Sequence, residues 1–204
     1  MPDQGQGQSP GIPGTMVPLE DLLVDAGKRS RLAIARCRVD FLRSTKPANT
    51  GLDFSYAKKP QVQLDGQSLF PELAILGLFR KEGWSGVWAD AARRKFFTIM
   101  PNTSKGVTLD TWVSQALSRI ARGGVQGLAG CWDLILWRRK TLLFVETSGV
   151  PSGERLGKAH LAWLDAALRS GMGPGQFLVV EWDYRNVVVR RKPARPDPIP
   201  SRTR

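Results

Sequence analysis

Apolar residues recur along the chain at two spacings, and each spacing predicts a different kind of element. A spacing of three or four residues, typical of an amphipathic helix, occurs in segments 68–82, 109–122 and 154–170. Each segment is followed by glycine, a residue that commonly ends helices. The sequence therefore predicts three helices, with Ser68 capping the first and Pro71 in its first turn.

Continuous runs of apolar, aromatic and β-branched residues predict the strands of a buried sheet. Two consecutive runs, 131–137 and 141–147, are separated by a basic turn, which predicts a central hairpin. Further runs predict strands at 86–90, 177–184 and 186–191. This order of elements predicts an α/β fold in which helices flank a mixed β-sheet.

The rest of the chain divides into a leader, an arm and a tail. Gly, Gln and Pro dominate residues 1–16, which predicts a disordered leader. Residues 17–66 predict a basic helical arm and a linker, because arginines surround an apolar stripe. Residues 192–204 alternate proline with polar residues and predict a basic, disordered tail. We therefore expect the folded domain at 67–191. The members of the apolar stripe in the arm are Leu32, Ala35, Val39 and Leu42.

Composition narrows the class of protein. Hydrophobic residues make up 42% of the chain and charged residues 24%, close to the averages for globular proteins. No apolar run approaches the roughly 20 residues that span a bilayer, and the first residues lack the pattern of a secretory signal. Cys37 and Cys131 lie in apolar surroundings, as reduced thiols do. We therefore expect a cytoplasmic protein with no membrane partner.

The net charge of +12 is concentrated in two stretches. Residues 28–46 carry seven basic residues against one acid, and residues 190–204 carry six against one. Such stretches favour binding to a polyanion, here nucleic acid, although a solubilising tail has the same composition. The expected contacts are Arg29, Arg31, Arg36, Arg38, Arg93, Arg94, Lys95, Arg190, Arg191 and Lys192.

Two carboxylates lie in the predicted central hairpin. Asp133 falls within its first strand and Glu146 near the end of its second, so a turn at 138–140 places both at the same end. A buried carboxylate is costly unless it is paired, and Mg²⁺ between two acids would stabilise both. In the alternative, Asp133 accepts hydrogen bonds from backbone amides and Glu146 points outwards.

Five segments in order resemble one family of enzymes. They are PELAILGLFRKEGWSGVWAD, GCWDLILW, LLFVETSG, ERLGKAHLAWLDAAL and FLVVEW, which together cover roughly residues 69–184. This set resembles the VRR-NUC branch of the PD-(D/E)XK nucleases. The resemblance implies a restriction-endonuclease-like core and Mg²⁺- or Mn²⁺-dependent hydrolysis of nucleic acid, with DNA the expected substrate. It also implies a homodimer, since small proteins of this fold often act as dimers.

The resemblance also assigns roles to individual residues. Glu72, Asp133 and Glu146 correspond to the metal-binding acids of the family. His160 stands where the family usually has glutamine on the helix after the central strands. Ser148 stands at the position of the catalytic lysine, so the site lacks the cation that this lysine supplies.

The missing cation leaves two hypotheses for the function. Lys158 is a candidate replacement, although it lies about 200° from His160 around the predicted helix, at 100° per residue. If Lys158 or His160 compensates for Ser148, the protein is an atypical or weak nuclease. Otherwise it is a catalytically inactive, nuclease-derived module that binds nucleic acid or a protein.

Overall fold

The computed structural model describes residues 11–25, 31–45, 56, 58–101, 106–150 and 156–185. These residues form an α/β protein in which helices flank a nine-stranded mixed sheet. The strands are β1 (Val17–Asp25), β2 (Arg31–Arg43), β3 (Val62–Leu64), β4 (Gln67–Leu69), β5 (Ser85–Asp90), β6 (Lys95–Phe97), β7 (Leu134–Arg138), β8 (Thr141–Gly149) and β9 (Phe177–Tyr184). The helices are α1 (Pro71–Lys81), α2 (Thr111–Arg122) and α3 (Lys158–Arg169).

The order of strands across the sheet is β4-β3-β2-β9-β8-β7-β5-β6, and β1 pairs with β2. Strand β9 runs parallel to both of its neighbours, β2 and β8, whereas the other pairs are antiparallel. The β7–β8 hairpin therefore lies near the middle of the sheet, as the sequence predicts.

The sheet buries a hydrophobic cluster on each face. On the α1 face, helix α1 packs against alternate residues such as Leu134, Leu143 and Val180. On the opposite face, called here the α3 face, α2 and α3 cover Ile135 and Phe144 and their neighbours. Burial on both faces explains why these strands are continuous apolar runs.

The predicted helical arm is wrong, because its residues form strands β1 and β2. The predicted stripe includes Leu42, which is 39% exposed, and omits Cys37, which is fully buried. The burial follows the period of a strand instead, since Cys37, Val39 and Phe41 all lie on the α1 face. Pairing of β2 with β9 places this segment inside the sheet, so the sheet begins well before Gln67.

Several boundaries also differ from the sequence prediction. Ser68 belongs to β4 and donates a hydrogen bond to Gln61 Oε1, so it does not cap α1. The predicted linker contains the β3–β4 hairpin, whose turn at Asp65 and Gly66 has positive φ at both residues. An Asp-Gly pair is a known hairpin signal, and the sequence prediction missed it. The predicted strand at 186–191 and the tail at 192–204 lie outside the described residues, as do residues 1–10 of the leader.

Candidate functional site

The β7–β8 hairpin positions the first two candidate acids. Leu134 pairs with Val145, so Asp133, the residue before β7, and Glu146 lie at the same end, opposite the 138–141 turn. The main-chain carbonyl of Asp133 also accepts a hydrogen bond from Ala89 N–H, at 2.7 Å. Asp133 is therefore tied to both neighbouring strands, β5 and β8.

The Asp133 carboxylate is held by Thr147. The Thr147 amide donates to Asp133 Oδ2 at 3.1 Å, and the Thr147 hydroxyl donates to the same oxygen at 2.5 Å. This agrees with the alternative in which Asp133 accepts hydrogen bonds from backbone amides. The contact also places the Asp133 carboxylate next to the peptide that joins Glu146 to Thr147.

Glu146 contacts His160 on the α3 face. Glu146 Oε1 lies 3.3 Å from His160 Nδ1, and the two side chains are 13% and 31% exposed. This contact becomes an ion pair when the imidazole is protonated. Gly130, in the turn that precedes β7, allows the first turn of α3 to lie against it, because a Cβ at this position would lie 2.2 Å from the Ala159 carbonyl oxygen. The close approach at Ala159 fixes the first turn of α3, which carries His160 to Glu146.

Glu72 approaches from the other face of the sheet. It lies in the first turn of α1, is 7% exposed, and contacts Lys59 Nζ through Oε1 at 2.6 Å. Its Oε2 accepts no hydrogen bond from the described residues. Burial raises the pKa of Glu72, the charge of Lys59 opposes this rise, and the charge of Asp133 adds to it. Glu72 and Asp133 are thus close enough to affect each other.

Lys59 is a residue of the candidate site that the sequence does not predict. Burial acts to lower its pKa, but the charge and hydrogen bond of Glu72 outweigh burial, so the net shift is upwards. Asp133 and Asp90 stabilise the ammonium further. Nothing in the local pattern around Lys58 and Lys59 distinguishes the two lysines, because the contacts of Lys59 depend on α1 and β5.

The three acids do not form one set of metal ligands. Glu72 lies on the α1 face, Glu146 on the α3 face, and Asp133 at the end of the sheet between them. Across the described ranges, no group of three or more His, Cys, Asp and Glu side chains could hold a metal ion. Lys59 already occupies Oε1 of Glu72 and places a positive charge beside this carboxylate.

Asp133 and Glu146 fit Mg²⁺ better. Burial raises the pKa of the Cys131 thiol, and the charges of Asp133 and Glu146 add to this rise, so both carboxylates act on the same thiol. Mg²⁺ keeps several waters in proteins and often takes only one or two carboxylates. A site with two carboxylates at this end of the hairpin is therefore chemically reasonable.

A cavity of about 660 Å³ opens beside Glu146 and Ser148 on the α3 face. Its lining carries three carboxylates, Asp25, Glu146 and Glu181, and one guanidinium, Arg36, which lies 3.5 Å from Glu181. A phosphate group that enters this cavity meets net negative charge. It therefore needs a cation other than Arg36 to offset the repulsion.

Lys158 points towards solvent. It is the first residue of α3 and is exposed, as its position on the predicted helical wheel indicates. Ser148 lines the cavity on the same face of β8 as Glu146, which follows from the alternation of side chains along a strand.

Most of the predicted nucleic-acid contacts that the structure describes are paired with acids. Arg31 lies 3.6 Å from Asp25, and Arg36 contacts Glu181. Three further contacts are Arg38 with Asp40 at 3.0 Å, Arg38 with Asp183 at 2.9 Å, and Arg93 with Asp90 at 2.8 Å. These pairs lower the positive potential of the surface around β2.

The remaining predicted contacts lie near the start of β6 or outside the described residues. Arg94 is exposed, and Lys95 is the first residue of β6. The predicted contacts that lie outside the described residues are Arg29, Arg190, Arg191 and Lys192.

The fold and the site define an α/β protein with a mixed sheet and a cluster of carboxylates at one end of its central hairpin. Comparisons with protein families, curated proteins and solved structures found no match to the chain. In the parts of the chain that the structure describes, no helix is long and apolar enough to cross a membrane.

Proposed function

We propose that this chain is a Mg²⁺-dependent nuclease that hydrolyses phosphodiester bonds of nucleic acid, with DNA as the expected substrate. The observation that carries the proposal is that Asp133 and Glu146 both lie at the end of the β7–β8 hairpin opposite its turn, next to the pair Leu134 and Val145. The resemblance to the VRR-NUC nucleases supports the same two acids.

Asp133 and Glu146 would hold the metal ion, and each is oriented by a neighbour. Thr147 fixes the Asp133 carboxylate through two hydrogen bonds. His160 contacts Glu146 from α3 and lies where it can accept or donate a proton beside the cavity. When bound, Mg²⁺ would stabilise the charge on the phosphate and lower the pKa of a bound water.

The acidic lining of the cavity supports a role for a divalent cation. Asp25, Glu146 and Glu181 line the cavity, so a divalent cation would reduce the repulsion that a phosphate meets there. Ser148 offers a hydroxyl that can donate a hydrogen bond to a phosphate oxygen, but it supplies no charge. We therefore expect slow cleavage in comparison with nucleases that have the lysine.

A second candidate function is binding of nucleic acid or a protein without catalysis. Two observations favour it. Ser148 replaces the catalytic lysine of the VRR-NUC pattern, and Lys59 occupies an oxygen of Glu72, the third acid of that pattern. In this candidate, the acids remain as structural groups paired with Thr147, His160 and Lys59.

A cleavage assay separates the two candidates. The purified chain is incubated with single-stranded, duplex and branched DNA and with RNA, in Mg²⁺, Mn²⁺ or EDTA. Nuclease function predicts metal-dependent cleavage that Asp133→Asn and Glu146→Gln abolish. Asp65→Asn, which neutralises an exposed acid paired with Lys81, is the matched control and should leave cleavage unchanged. Binding without cleavage by the folded chain would instead favour the second candidate.

A further inference from the structure

Lys59 occupies the position at Glu72 that a metal ion would need. Its ammonium lies 2.6 Å from Glu72 Oε1, and the Glu72 carboxylate is almost fully buried. From this contact we infer that Lys59 is a built-in cation, and that it excludes divalent metal from Glu72 in the wild-type chain. The inference deepens the proposed function, since it concerns the third acid of the site, but its test does not depend on cleavage.

The surroundings of Lys59 favour a permanent cation. The Nζ atom lies 5.1 Å from the centre of the Trp88 ring and 5.6 Å from that of Phe70, both within the range of cation–π attraction. The charges of Asp133 and Asp90 add to the stabilisation from Glu72. A divalent cation at Glu72 would be repelled by an ammonium held this close, because the interior screens charge weakly.

The backbone around Lys59 is also fixed. The Lys59 amide donates to the Tyr56 carbonyl at 3.0 Å, which closes a turn. Tyr56 is buried, its ring packs against Phe70 and Trp88, and its hydroxyl donates to Asp90. The lysine is therefore delivered to Glu72 by a packed segment that contacts both α1 and β5.

Removing the ammonium should convert Glu72 into a metal ligand. Lys59→Met keeps most of the side-chain volume and its packing on Trp88 but removes the charge. We expect this variant to melt at a lower temperature than the wild type and to gain more thermal stability from Mn²⁺ or Mg²⁺, reversibly with EDTA. Lys58→Met, which changes the exposed neighbouring lysine, is the matched control and should show the wild-type response to metal.

Two double variants assign the extra metal response to one carboxylate. Adding Glu72→Gln to Lys59→Met should abolish the extra gain, whereas adding Glu146→Gln should leave it in place. The second result separates this inference from the proposed function, because Glu146→Gln removes the metal site proposed for catalysis. If Lys59→Met shows no extra gain, or keeps it with Glu72→Gln, the inference is overturned.

The test also covers a variant that does not fold. If Lys59→Met folds only when Mn²⁺ is present, the inference is supported, because the metal then replaces the ammonium. If it does not fold with metal, Lys59→Gln takes its place, since its amide can still donate to Glu72. Failure of both variants to fold with or without Mn²⁺ would overturn the inference.

Discussion

Glu146 and His160 meet across the α3 face, with Glu146 Oε1 3.3 Å from His160 Nδ1, although they belong to different elements. The contact joins the end of strand β8 to the first turn of α3, beside the cavity that Ser148 also lines. It gives a partly exposed histidine a specific partner in the middle of the candidate site.

This contact predicts that His160→Gln is tolerated better than His160→Leu. The glutamine amide can donate a hydrogen bond to Glu146, whereas leucine offers no polar atom. A partly exposed ion pair contributes about 0–1 kcal/mol, so we expect the leucine variant to lose up to that much free energy of unfolding relative to the glutamine variant. Urea unfolding of both variants measures the difference, and equal stabilities would show that the contact contributes little.

A second prediction concerns Asp90, which accepts hydrogen bonds from the Tyr56 hydroxyl and from the backbone and guanidinium of Arg93. Burial alone raises the pKa of Asp90, but these hydrogen bonds outweigh it and hold the pKa below its ordinary value. The ionised carboxylate therefore stabilises the fold above the unfolded pKa near 3.8, and this stabilisation is lost as the pH falls through the lower folded value.

Asp90→Asn should accordingly lower the free energy of unfolding at pH 7 by about 1–3 kcal/mol. The same substitution should cost less near pH 3, because the unfolded wild-type chain takes up a proton at Asp90 below its ordinary pKa of 3.8 and part of the stabilisation is lost. Urea unfolding at the two pH values checks this, with the exposed Asp65→Asn as the control. A penalty that is equal at both pH values would contradict the assigned ionisation.

Two particular segments show what the sequence could and could not predict. The spacing of apolar residues predicted α1 correctly. The β7–β8 hairpin and β9 could be predicted because burial on both faces of the sheet leaves continuous apolar runs. The spacing failed at β2, where the stripe Leu32, Ala35, Val39 and Leu42 has the spacing of a helix, whereas the residues that the sheet buries on its α1 face, Cys37, Val39 and Phe41, have the spacing of a strand. Pairing with β9 decides between helix and strand, and this pairing joins residues 143 positions apart, such as Arg38 and Glu181.

The candidate site likewise has a part that the sequence predicts and a part that it does not. Asp133 and Glu146 could be placed together because the hairpin that carries them is local. Lys59 could not be found, because its partner Glu72 is reached only through the packing of Tyr56 against α1 and β5. The pairing of Arg36 with Glu181 likewise depends on the β2–β9 register.

A third prediction concerns binding of nucleic acid by the basic residues. Arg31, Arg36 and Arg38 are each paired with acids, so replacing them with glutamine should change the salt dependence of duplex binding only slightly. Deleting residues 186–204, which carry six basic residues against one acid, should reduce the slope by about 0.9 for each phosphate that the chain no longer neutralises. Duplex binding measured from 50 to 200 mM salt compares the arginine variant with the deletion. If the arginine substitutions reduced the slope more than the deletion does, their ion pairs would have to open on binding.

The fourth prediction is that Ser148→Lys raises metal-dependent cleavage. Ser148 lies two residues after Glu146 on the same face of β8, so a lysine there restores the missing E-x-K pattern beside the proposed metal ligands. The adjoining cavity of about 660 Å³ offers room for the longer side chain. The new ammonium also offsets the charge of Asp25, Glu146 and Glu181 on the cavity wall. One well-placed group that stabilises developing charge contributes on the order of 10²–10³ in rate.

The control is Ser148→Met, which adds a similar length without charge and should not raise cleavage. Thermal melting of both variants comes first, because either side chain can disturb the packing of β8 against α3. If Ser148→Lys folds and cleaves faster than the wild type, and Asp133→Asn abolishes the gain, the two acids act together with the restored cation. If the folded variant and the wild type are both inert in Mg²⁺ and Mn²⁺, a lysine at this position is not sufficient. The binding function without catalysis then accounts better for a chain that retains Asp133 on Thr147, Glu146 on His160 and Glu72 on Lys59.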